Sequence, residues 1–174
     1  MKNIVRIIIL VISFVTVSKS YAQREIAPSH QIRIFGTVEK EMTYSEDQLD
    51  TMLAFPIRNL PVVNHKGEFK DSLKGLMGIP VKKLLAPIKF NYTKPKELNE
   101  FYFIFKGTDG YRVVFSWNEL YNSPVGNECF ILQRVNQLPL SQQSLKINLV
   151  STADLGIGRR YLKGLESIEV CRLP

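Results

Sequence analysis

The stretch FYFIFKGTDGYRVVF (101–115) does most to limit what this chain can become. Its first six residues, FYFIFK, are rich in aromatic side chains that fit a pleated, half-buried surface. A second β run follows directly after Asp109-Gly110. An Asp-Gly pair between two such runs is a strong hairpin signal, because the tight turn needs a positive φ that glycine adopts without penalty. Sheet should therefore dominate the fold.

Other segments agree. QIRIFGTV (31–38) alternates Ile32, Ile34 and Val38 with polar residues, and LPVVN (60–64) reads as a second short strand. CFILQRV (129–135), LKINLV (145–150) and ESIEV (166–170) extend the series. Short helices interrupt it. Ser45 and Gln48 form a capping box that opens a helix carrying Leu49, Met52 and Leu53 on one face and stopping before Pro56. Pro80 begins another, where its missing N–H costs nothing, with Leu84 and Leu85 toward the core. Ser116 and Glu119 cap a third through Leu120, with Trp117 expected in the core. Residues 88–100 read as a polar surface loop. The expected fold class is α+β, mostly β, in a single domain without repeats or linkers.

Lys2 and Arg6 precede the apolar run IIILVISFVTV (7–17), and Ser20-Tyr21-Ala22 is a small-x-small cleavage pattern. The run is about half the ~20 residues a membrane-spanning helix needs. Residues 1–22 are therefore expected to be a cleaved signal peptide, with a domain at 23–174, a periplasmic or secreted location, and no stable membrane insertion afterwards. Lys2, Arg6 and Lys19 fall in the signal, which leaves +4 of the formal +7 charge on the domain. Its basic residues are interspersed with acidic ones, unlike the dense basic stripe of a nucleic-acid binder. In an oxidising compartment the two cysteines, Cys129 and Cys171, are expected to pair; the alternative is two separate buried thiols. With no His or Cys beside either, they do not suggest a metal site.

The order of several segments resembles the molybdopterin-binding domain of the sulfite oxidase family, in its small exported bacterial versions. The segments are FGTVEKEMTYSEDQLDTM, GLMGIPVKKLL, FKGTDGYRVVFSWNEL and NQLPLSQQSLKINLVSTADLGIGRRYLKGLESIEV, spanning roughly residues 31–171. The resemblance implies the sulfite-oxidase-type fold, molybdopterin as cofactor and oxidoreductase chemistry. It also implies a cysteine thiolate on the molybdenum, placed between the second strand and the glycine before the short helix. Here that interval is VVNHKGEFKDSLKGLMG, and it holds no cysteine. A thiolate is a soft charged donor that neither Asn64 nor His65 reproduces.

Four residues are candidates for binding a cofactor. His65 can offer a neutral imidazole, or simply hydrogen-bond a turn around Gly67. Arg159, Arg160 and Lys163 follow Gly156-Ile157-Gly158; they can receive an anion, and by resemblance would face the pterin phosphate, or they can form a solvated turn. No catalytic residue and no metal ligand is assigned. Two functions are expected from these residues. One is a binding or accessory module that has lost the metal-anchoring cysteine and takes an anionic small molecule, a pterin-like ligand or a periplasmic protein partner. The other is a molybdopterin-dependent oxidoreductase with a non-cysteine metal environment.

Overall fold

The computed structural model describes residues 25–64, 66–155 and 157–174. The expected signal peptide, His65 and Gly156 lie outside the described residues. No helix among the described residues is long and apolar enough to cross a membrane.

The Asp109-Gly110 turn is where the sequence places it. Strand β7 (Phe101–Gly107) pairs antiparallel with β8 (Arg112–Ser116), and Gly110 takes φ +81°. Alternation along β7 is complete: Phe101, Phe103 and Phe105 point inward, while Tyr102, Ile104 and Lys106 point out. Phe115 of β8 meets Phe105 edge-on at 5.4 Å. Fully burying a phenylalanine contributes roughly 1.5–3 kcal/mol, so these four buried rings anchor the core.

Around that hairpin, β1 (Gln31–Gly36), β2 (Met42–Ser45) and β12 (Leu165–Arg172) complete a five-stranded sheet in the order β2-β1-β12-β7-β8. The β1–β12 pairing is parallel and the others are antiparallel. A second sheet contains β3 (Phe55–Ile57), β6 (Leu76–Pro80), β9 (Cys129–Val135) and β10 (Leu138–Pro139), with β11 (Asn148–Ser151) also on β9. Its inner face contributes Ile79, Ile131 and Leu149 to the core that Ile34, Phe105 and Ile168 enter from the first sheet. Leu132 and Val150 face the other way, onto Leu60 and Leu73 of the hairpin β4 (Leu60–Val63) and β5 (Phe69–Leu73). The second sheet is thus covered on both faces, which is why β9 opens on the apolar run CFIL and all four residues of β11 are buried.

Both capping boxes form, at Ser45–Gln48 for α1 (Glu46–Thr51) and Ser116–Glu119 for α3 (Trp117–Tyr121). Helix α2 (Val81–Leu85) buries Val81, Leu84 and Leu85. Helix α1 is shorter than expected. Met52 is already extended (ψ 150°), so Leu49 is buried while Leu53 turns out to solvent. The stop is built in: Gln133 Nε2 donates to the Leu49, Asp50 and Met52 carbonyls at 3.0, 3.2 and 2.8 Å. It thereby satisfies groups that a longer helix would have used. Trp117 is half-buried and stacks on Tyr121 at 5.2 Å, at the edge of the core.

The expected disulfide is not formed. Cys129 and Cys171 are free thiols. Cys129 sits on β9 in the second sheet, buried in the main core, whereas Cys171 sits on β12 in the first. Alternation sends Ile168 and Val170 into the core and turns Cys171 to the opposite face, beside Tyr102. The two side chains have no shared space to meet in.

Candidate functional site

In the interval where the resemblance implies a cysteine, Asn64 organises a polar turn with Lys66, Gly67 and Glu68. Asn64 Oδ1 accepts from the backbone N–H groups of Lys66 (2.9 Å) and Glu68 (3.0 Å). Its Nδ2 donates to Glu68 Oε2 at 2.7 Å, and the Asn64 amide donates to the Glu68 carbonyl. Gly67 closes the turn with φ +80°. Asparagine is suited to this role because its side chain imitates a backbone turn. The turn joins β4 to β5 and sets their register.

A 3-10 turn, Ile157–Arg159, packs against this hairpin. The approach requires Gly158: a Cβ there would lie 2.3 Å from the Val63 carbonyl oxygen. On its other side the turn is tied to the Asp109-Gly110 loop, because the Tyr111 hydroxyl donates to the Arg159 carbonyl at 2.8 Å. Asp109 Oδ1 in turn accepts from the Tyr111 amide at 2.8 Å. Three loops from distant parts of the sequence therefore converge. Between them lies a groove of about 730 Å³, lined by Val63, Asn64, Tyr111, Leu155, Gly158 and Arg159.

The consecutive arginines diverge. Arg159 is exposed in the groove and has no ion-pair partner among the described residues. Arg160 turns inward, stacks 4.4 Å from the Phe115 ring centroid, and pairs with Glu119 Oε1 at 3.0 Å and Asp154 Oδ2 at 3.6 Å. Asp154 also accepts from the Ser151 hydroxyl at 3.1 Å. Burial works to raise the Glu119 carboxyl, but the Ser116 amide, the Arg160 guanidinium and the Ser116 hydroxyl outweigh it and hold the group below its ordinary range. Arg160 thus serves a half-buried charge cluster and is already engaged. Lys163 lies on a neighbouring groove, its Nζ 5.2 Å from the Tyr161 ring centroid. That groove also includes Asp109, Tyr111 and Leu145. Tyr111 is therefore the wall between Arg159 and Lys163. In the sequence it shows only as part of a turn, and nothing there marks it as part of a site.

The side chains present do not fit a thiolate-anchored molybdenum. Residues 62–78 contain no cysteine. Cys129 is enclosed in the core, where burial pushes its thiol far above the ordinary range, and Cys171 lies on the outer face of the first sheet. Among the described residues, no cluster of three His, Cys, Asp or Glu side chains is arranged to hold a metal ion.

No protein-family model and no curated protein matches the chain. Among solved structures, the sulfane dehydrogenase SoxCD from Paracoccus pantotrophus superposes with a TM-score of 0.58 at 12% sequence identity. The two share a fold. The match covers 81% of this chain but only 38% of that one, so the chain spans well under half of its structural neighbour. The architecture is thus the sulfite-oxidase-type fold that the sequence resemblance implies.

Proposed function

We propose that this chain is an exported binding module that keeps an oxidoreductase fold and takes an anionic small molecule, such as a phosphate-bearing pterin-like compound, at the Arg159 groove. The observation that carries this reading is the exposed Arg159 side chain, without an ion pair among the described residues, in a groove that Tyr111 also lines. A guanidinium fork matches phosphate oxygens, and an aromatic wall accepts a flat ring. Export is supported by the charged start, apolar run and cleavage pattern of residues 1–22. The absence of the thiolate removes both a metal bond and its electronic tuning, which favours binding over redox chemistry.

Calorimetric titration with inorganic pyrophosphate tests this reading. Saturable binding that falls about tenfold, or roughly 1.4 kcal/mol, in Arg159→Gln and weakens with salt is the expected result. Absence of binding, or binding indifferent to Arg159→Gln, would reject the groove as an anion site. A second reading, a molybdopterin-dependent oxidoreductase with His65 in place of the thiolate, draws its support from the fold shared with the sulfane dehydrogenase.

A further inference from the structure

The first sheet uses only one of its faces to build the core. Ile34, Phe103, Phe105, Phe115 and Ile168 point inward from it, and alternation sends the residues between them to the opposite side. Strand register arranges that outer face in rows. One row runs Phe35–Glu169–Ile104–Val114 across β1, β12, β7 and β8. The next runs Arg33–Ser167–Lys106–Arg112, and beyond the first row Cys171 stands opposite Tyr102.

An antiparallel sheet normally turns polar side chains to such a face. Here Phe35, Ile104 and Tyr102 are only partly buried and belong to neither apolar cluster of the interior, and Val114 is 51% exposed. Most of the charges on the face are spent within the chain. Arg33 donates to Glu41 from Nε at 3.1 Å and from Nη2 at 2.8 Å, and its guanidinium lies 4.6 Å from the Phe35 ring centroid. Lys106 pairs with Glu166 at 2.6 Å. Two charges are left over. Arg112 on the edge strand and Glu169 on β12 form no ion pair among the described residues.

The face therefore carries one unpaired cation and one unpaired anion, with the cross-strand pair Ile104–Val114 between them. We propose that it docks a second copy of this chain, sheet against sheet about a two-fold axis, so that Glu169 of each copy meets Arg112 of the other and the apolar row is covered. A two-fold contact sets one surface against itself, so a face bearing one charge of each sign complements its own copy. A partner surface of a single sign would leave one of the two unmet. Packed sheets lie about 10 Å apart, a gap that arginine and glutamate side chains reaching toward each other can bridge.

Sedimentation velocity of the exported protein at increasing concentration tests the contact. The expected result is a shift from monomer to dimer, with alkylation of Cys171 slowing as the dimer forms, since its thiol lies on the covered face. Val114→Lys puts a charge into the apolar row and should weaken dimerisation at least about tenfold. Arg112→Glu and Glu169→Arg should each weaken it as well, because like charges then face each other. The protein carrying both exchanges should recover most of the wild-type association. The proposal is overturned by a protein that stays monomeric at every concentration. It is equally overturned by dimers that leave Cys171 fully reactive or survive Val114→Lys, or by a double exchange that stays as weak as the single ones.

Discussion

The Tyr111 hydroxyl donates to the Arg159 carbonyl at 2.8 Å, across 48 residues of sequence. The hairpin turn of the first sheet thereby holds the backbone of the exposed cation in the candidate groove. Position and availability are separated: the main chain of Arg159 is fixed while its side chain stays open to solvent.

Removing that tie should loosen the loop more than the fold. Tyr111→Phe loses one hydrogen bond on a partly exposed pair, about 0.5–1.5 kcal/mol. Amide exchange of Gly158, Arg159 and Arg160 should accelerate, with little change in the exchange of β7. Unchanged exchange at Gly158 and Arg159 would mean that the tie does not order the loop.

Gly158→Ala should act on the opposite side of the same loop. The added Cβ would meet the Val63 carbonyl at 2.3 Å, so hairpin and 3-10 turn must separate. Overpacking of this kind costs roughly 1–3 kcal/mol. Urea denaturation should show the loss, and pyrophosphate binding should fall with it.

The Glu119–Arg160–Asp154 cluster makes a pH prediction. The folded Glu119 carboxyl lies below its ordinary value despite its burial. A depressed pKa contributes stability that is present above the unfolded value of about 4.3 and is lost as pH falls through the folded value. Glu119→Gln should therefore be less stable than wild type at neutral pH, and should show a shallower loss of stability between about pH 5 and pH 3. Parallel pH profiles for the two proteins would show that the pair contributes nothing.

Thiol reactivity separates the two cysteines. Under denaturing conditions without reductant, both should react with an alkylating reagent. In the folded protein Cys171 should react and Cys129 should not, since Cys129 is fully buried and its thiol is pushed far up. Thiols that appear only after reduction would restore the disulfide.

Local signals carried much of the fold. The Asp109-Gly110 turn, both capping boxes and the alternation of β7 depend on neighbours within a few residues, and each stands where it was expected. Failures came where a distant partner decides. Helix α1 ends early because Gln133, more than eighty residues away, takes its carbonyls. β11 begins at Asn148 rather than Leu145, with Lys146 in a left-handed conformation before it. Cys129 and Cys171 looked like neighbours because their strands are alike, and strand composition does not say which sheet a strand joins. At the site, the sequence grouped Arg159, Arg160 and Lys163 by proximity. Arg160 is drawn away by Glu119 and Asp154, and Tyr111 stands between the other two. His65 lies outside the described residues, so its role rests on sequence alone.

The proposed binding role requires that this sulfite-oxidase-type fold works without a thiolate-anchored metal. Elemental analysis with an absorption spectrum, on protein exported from a host that makes molybdenum cofactor, tests it most directly. The account predicts a folded protein with molybdenum and tungsten far below stoichiometric amounts and no cofactor chromophore. Near-stoichiometric metal, lost in His65→Ala, would contradict it and establish an enzyme with a different ligand in the cysteine's place.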